Sequence, residues 1–194
     1  MNRMKINKER LVAFTDAIIA IAATIMVLEL VTPEDTSIHG LLSQWPTFVA
    51  YLISFDLIYL VWLNHHNAFQ KIDHVTPGVF IWNGIWTFFL TLVPFATRWV
   101  GEHPNDTLPE FLYILVLFAW SLMFQLMDNR IIKDFPGTKP DETNNIKMRM
   151  PMYLGYAAAM IISFFLPIAT LILILVMVAA MTVGIFRMMH TNKK

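Results

Sequence analysis

The chain has 194 residues, of which 57% are hydrophobic and 14% charged, with zero net formal charge and a mean hydropathy of +0.56. Soluble domains run near ~45–50% apolar and ~25% charged, so this is the composition of a membrane-embedded chain, and it gives no case for a nucleic-acid partner. Absence of cysteine excludes a disulfide framework, thiol catalysis and cysteine-based zinc sites.

A helix needs roughly 20 mostly apolar residues to cross a bilayer, and six such runs are predicted. The first covers 11–31, between Arg10 and Glu34. Basic residues ahead of an apolar run also fit a cleaved signal, but Asp16 inside the run and Glu29 near its end do not. The second run covers 46–69 and carries Asp56, His65 and His66. The third covers 79–100, with Arg98 near its end. The fourth covers 108–127, opened by Pro109 and closed by Asp128. A polar linker at 129–148, with Pro-Gly and Lys-Pro-Asp pieces, reads as exposed. After it, 151–186 holds no charge and is long enough for two short spans. Proline interrupts a helical ladder, so Pro167 is the expected break between spans at 150–166 and 168–187. One long kinked helix is the alternative. The expected fold is all-α and polytopic, a single domain over 1–194.

Orientation follows the Lys and Arg residues of short loops. They fall in the amino-terminal tail, after span two, after span four and in the carboxy-terminal tail. Of the 14, only Arg98 lies on the other side. Both termini are therefore expected to be cytoplasmic, in a multi-pass protein of the cell membrane surrounded by lipid.

Ionisable groups at membrane depth are costly and need partners or a function. Three polar clusters fall near the cytoplasmic ends of the first three spans. In the first, Arg10 precedes Phe14-Thr15-Asp16. Asp16 lies about 9 Å beyond Arg10 along the axis, so its partner is expected on another helix. In the second, His65 and His66 sit between Asn64 and Asn67. Adjacent histidines on a helix diverge by about 100° and do not readily share a metal, so no metal is expected. A hydrogen bond from His65 or His66 to Asp16 is the natural use. In the third, Asn83 is placed to complete this network, while Trp82 and Trp86 read equally as interface anchors.

On a helical wheel of span one, Asp16, Ala20, Ala23 and Val27 share a face whose small residues suggest packing. Ile21, Thr24, Ile25 and Leu28 form another. Asp16 and Ile21 point about 140° apart.

Arg10-xxx-Phe14-Thr15-Asp16, followed by Ile21, Thr24 and Leu28-Glu29, resembles the first helix of the lysosomal potassium channel family, transmembrane protein 175, and its prokaryotic relatives. That family has serine where this chain has Thr15, which keeps the hydroxyl. Asn64-His65-His66-xx-Phe69 and Leu92-Val93-Pro94-Phe95 are similar to family features as well. The resemblance implies a homotetramer with the first helix of each subunit lining a central pore. Ile21 would form the hydrophobic constriction, Thr24 a hydroxyl ring and Leu28 a further apolar ring, with Ile25 a possible pore-lining neighbour. Arg10, Phe14, Thr15 and Asp16 would be a structural signature, supported by His65, His66, Asn83 and Trp82.

No Thr-Val-Gly-Tyr-Gly segment is present, so selection by a ring of carbonyls of that kind is excluded. The expected activity is a leak-like, moderately selective potassium conductance, without cofactor and without enzymatic chemistry. Glu29, Glu34 and Asp35 either draw cations to the outer mouth or are plain loop charges. The alternative class is a secondary or proton-coupled transporter in which Asp16 and His65 relay protons.

Overall fold

The computed structural model describes residues 6–138 and 146–191, all of whose regular elements are helical. In chain order these are α1 (Lys8–Leu28), a short α2 (Ile38–Ser43), α3 (Trp45–Gln70), α4 (Pro77–Glu102), α5 (Thr107–Asp134), α6 (Ile146–Ile162) and α7 (Pro167–Thr191). Five of them, α1, α3, α4, α5 and α7, are long and apolar enough to cross a membrane. With 17 residues, α6 sits at the lower limit of the spanning range.

Local sequence explains where the helices begin. Asn7 Oδ1 accepts the Arg10 N–H at the start of α1 (3.0 Å), and Thr76 Oγ1 accepts the Val79 N–H at the start of α4 (3.2 Å). Such side-chain caps satisfy donors that the helix leaves open. Pro46, Pro77 and Pro167 occupy first-turn positions, where a missing N–H costs nothing. Residues 163–166 form the turn that separates α6 from α7. The helix α5 continues to Asp134, so 129–134 is helical and not linker, because Asp128 and Asn129 lie within its ladder and Arg130 and Asp134 pair across one turn (2.9 Å). The Lys-Pro-Asp piece, with Arg3, Lys5, Lys139, Lys193 and Lys194, lies outside the described residues.

Side-chain bonds set the directions of the helices. Thr15 of α1 meets Asn83 of α4, and Glu29 meets Arg98, so α1 and α4 run parallel. Thr47 of α3 meets Gly101, and His65 meets Asn83, so α3 runs against α4. Tyr113 of α5 meets Ser54, and Thr76 meets Asp134, so α5 also runs against α4. Thr170 and Thr182 of α7 meet Glu110 and Asp56. The start of α1 and the end of α7 therefore lie at the same end of the bundle.

The core centres on α4 and α5, whose packing is the most extensive of any pair. Trp86, Leu90, Tyr113, Leu117 and Met127 are fully buried there. On one side α1 packs on α3 and α4, and on the other α6 and α7 pack on α3 and α5. The backbones of α3 and α4 approach closely at Gly101, where an added Cβ would lie 2.9 Å from the Thr47 Cα. The Thr47 hydroxyl donates to the Gly101 carbonyl at 3.0 Å across the same contact. Gly101→Ala is expected to destabilise the protein by about 1–3 kcal/mol through overpacking. A thermal melt of the purified protein reads this, and an unchanged Tm would mean that α3 and α4 part freely there.

Candidate functional site

The helix α1 presents a buried stripe and, opposite it, an open one. Leu11, Thr15, Ile19, Ala22 and Met26 are buried against α3 and α4. This corrects the packing face expected from the sequence. Ala20 is exposed, Val27 is 48% exposed, and Asp16 and Ala23 are only half-buried. The reason is that alanines occur all around this helix, at 17, 20, 22 and 23, so small size does not mark one side. The face is selected by the buried hydroxyl of Thr15 and by the larger side chains of Leu11, Ile19 and Met26. Roughly 150° from that stripe lie Ala17, Ile21, Thr24 and Leu28. Ile21 is 55% exposed, Leu28 80% and Ile25 39%, and Thr24 is exposed with its hydroxyl donating to the Ile21 carbonyl at 2.9 Å.

Near the amino-terminal end of α1, three helices share a buried polar chain. The Thr15 hydroxyl donates to the Leu11 carbonyl (2.9 Å). Its oxygen must therefore accept from the Asn83 amide nitrogen, 3.0 Å away. That turns the Asn83 carbonyl oxygen to His65 Nε2 (2.9 Å), so Nε2 carries the proton. His65 Nδ1 is buried and has no hydrogen-bond partner. The imidazole is clamped between Phe69 (4.4 Å between centroids) and Trp86 (4.9 Å), both stacked on it.

The expected bond from a histidine to Asp16 is not formed. Asp16 instead accepts from the Trp62 indole N–H at 3.1 Å. His66 lies on the exposed side of α3, within reach of Gln70 at 2.7 Å, and stacks on Trp62. Adjacent positions on a helix diverge, so only one of the two histidines can face the core. Trp82 is half-buried and packs against the core without joining the polar chain. Arg10 is exposed and Phe14 is 63% exposed, so within one chain only Thr15 and Asp16 of the signature contact other helices through polar atoms. Among the described residues, no group of three or more His, Asp or Glu side chains is placed to hold a metal.

At the far end, Arg98 of α4 donates to Glu29, the residue that ends α1 (2.7 Å), and to Glu102 (3.0 Å). Sequence reasoning missed this bridge, as it missed Glu110 with Thr170 and Asp56 with Thr182. The available signal was the cost of a carboxylate at membrane depth, which applies to Glu110 and Asp56 as it does to Asp16.

Residues 10–94 match the family model described as endosomal/lysosomal potassium channel TMEM175. A Chryseobacterium protein named a potassium channel is 37% identical over 126 residues, covering 65% of this chain and 66% of the relative. A human protein named an endosomal/lysosomal proton channel, TMEM175, is 27% identical over 136 residues, which is 62% of this chain and 27% of that one. The matches thus span less than two thirds of the length of these relatives. The fold agrees over more of the chain. The crystal structure of a lysosomal potassium-selective channel TMEM175 homolog from Chamaesiphon minutus superposes with a TM-score of 0.76 at 26% identity, covering 91% of this chain and 97% of that one. The matched segment contains α1, α3 and the part of α4 that holds the Thr15–Asn83–His65 chain, and with the shared fold it makes this protein a member of the endosomal/lysosomal potassium channel TMEM175 family.

Proposed function

We propose that this protein is a potassium-conducting channel of the cell membrane, built as a homotetramer of six-span subunits around a pore lined by α1. The observation that carries this reading is the open stripe of α1. Ile21, Thr24 and Leu28 stay exposed along that stripe, although α1 is bonded to its neighbours near both ends. A helix held firmly on one side and left bare on the other is what a subunit contributes to a central channel. Ile21 then forms the constriction, Thr24 the hydroxyl ring and Leu28 the next apolar ring, with Ile25 beside them.

A constriction of aliphatic side chains gates by dewetting, and an ion passes only by giving up part of its water. Potassium holds its shell less tightly than sodium and loses less there. The exposed Thr24 hydroxyls supply oxygen to an ion that has been partly stripped. Lys8, Arg10, Lys71, Arg130, Lys133 and Arg187 lie at the end of the bundle where α1 starts, which supports cytoplasmic termini.

The proton-relay alternative receives less support. Asp16 and His65 are bonded to different partners, Trp62 and Asn83, and no hydrogen bond links the two. Potassium flux from liposomes holding the purified protein tests the proposal. Potassium-driven flux well above that of empty liposomes is expected, without saturation by a co-transported ion. Flux equal to empty liposomes refutes the channel, and strict coupling to protons favours the alternative.

A further inference from the structure

Among the described residues, Arg98 is the one lysine or arginine at the end of the bundle where α1 terminates, and it is aimed at two carboxylates. Its Nη1 lies 2.7 Å from Glu29 and its Nε 3.0 Å from Glu102. Glu29 directly follows Leu28, an exposed residue of the open stripe, and caps α1. Among the described residues, Glu29 at this cap carries the side-chain hydrogen bond that ties the carboxy-terminal end of α1 to another helix. The other bonds from α1 side chains to helices, those of Thr15 and Asp16, lie in its first half, as does the bond from Lys8 to the Ile72 carbonyl in the loop after α3. Nearby loop charges stay outside the bridge. Asp35 is bonded to the Ser37 hydroxyl and N–H, which hold its carboxyl below the usual carboxylate value.

We propose that Arg98 sets the cation-attracting charge of the outer mouth by masking Glu29 beside the last turn of α1. The inference rests on the pore reading given above. With Arg98 present, the Glu29–Arg98–Glu102 group carries a net charge of −1 per chain. Without Arg98 it carries −2, and the difference is multiplied by the number of subunits around the pore. Charge of one sign at a narrow mouth concentrates the permeant counter-ion, and salt screens the effect. The acidic residues of this end therefore attract potassium less than their number implies. Pairing also fixes where the Glu29 carboxylate sits, which makes Arg98 a positioning residue.

Single-channel recording of the reconstituted protein in planar bilayers tests this with four variants. In dilute potassium chloride, Arg98→Gln should raise current entering from the outer side by about twofold or more. The gain should vanish near 1 M salt, where the Debye length is about 3 Å. Glu29→Gln should lower the same current, and Arg98→Gln with Glu29→Gln should return it to the parent level. Arg98→Lys should behave like the parent. An unchanged low-salt current in Arg98→Gln overturns the inference, as does a gain that persists at high salt or survives the second substitution. If Arg98→Gln does not assemble, the opposite change in Glu29→Gln carries the same test, and an unchanged current there refutes it. Failure of the pore reading is distinguished by the parent itself, which would then carry no current.

Discussion

Ile21→Asn is expected to raise potassium current through the reconstituted protein by ~tenfold, equivalent to about 1.4 kcal/mol off the barrier. In the proposed tetramer, four isoleucines at one level would leave a ring that water does not wet, and an ion would have to shed part of its shell to pass it. An amide at the same position offers oxygen and N–H to that water and removes most of the dewetting cost. The substitution is tolerable because Ile21 is 55% exposed in the single chain and holds none of the α1–α4 core. The hydroxyl ring proposed above it would behave differently. The Thr24 hydroxyl donates to the Ile21 carbonyl, so its lone pairs remain available to an ion. Thr24→Ala should leave the current similar and bring the potassium and sodium permeabilities closer together, measured as reversal potential under bi-ionic conditions. Parent-like behaviour of both variants would place the pore on another face.

Asn83→Leu should lower stability by about 2–3 kcal/mol. Leucine is close to asparagine in size, so the change deletes polar atoms rather than volume. It leaves His65 Nε2 with a proton and no acceptor, on a ring whose Nδ1 already lacks a partner. It also removes the bond that joins Thr15 of α1 to α4. Interhelical hydrogen bonds in membranes average only about 0.6 kcal/mol each, with a maximum near 1.7. The larger estimate therefore rests on the stranded histidine, which is fully buried and stacked on both faces. Thermal melting in detergent reads the loss, with Trp82→Leu as a control of much smaller effect. Equal Tm values for Asn83→Leu and the parent would show that the chain of bonds contributes nothing to assembly.

The span boundaries were legible because a membrane helix must be long and apolar, and the runs of this sequence end at charges or prolines. The break at Pro167 was legible for a similar reason, since α7 begins on that residue. The end of α5 was not. Its last turns are polar, and their helicity rests on pairings of Asp134 with Arg130 and with Thr76, which periodicity does not reveal. The polar clusters were found by depth, because Thr15, His65 and Asn83 each fall near the same end of adjacent spans. Their pairing was misjudged in one respect. The charge of Asp16 suggested a histidine partner, whereas the neutral hydroxyl beside it faces the core. Glu29 and Arg98 are 69 residues apart, and Asp56 and Thr182 are 126 apart. No local pattern marks such contacts, and only the three-dimensional arrangement of α1, α4 and α7 brings them together.

The parallel run of α1 and α4 has a mechanical consequence. Thr15 and Glu29 are fixed to Asn83 and Arg98, across spans of about 21 and 22 Å on the two helices. A rod pinned near both ends to one neighbour cannot tilt independently of it. Widening of the proposed pore at Ile21 would then take one of two forms: α1 bows between its pins, or α1 and α4 swing outward as a pair. The first is eased by Ala20, Ala22 and Ala23, which leave little bulk along the middle of the rod. The second recruits the core of the whole subunit, since α4 is packed on α3 and α5. In the proposed pore, stiffness at Ile21 would thus be a property of the paired helices, and releasing either pin would soften it without touching the residues assigned to the ion path.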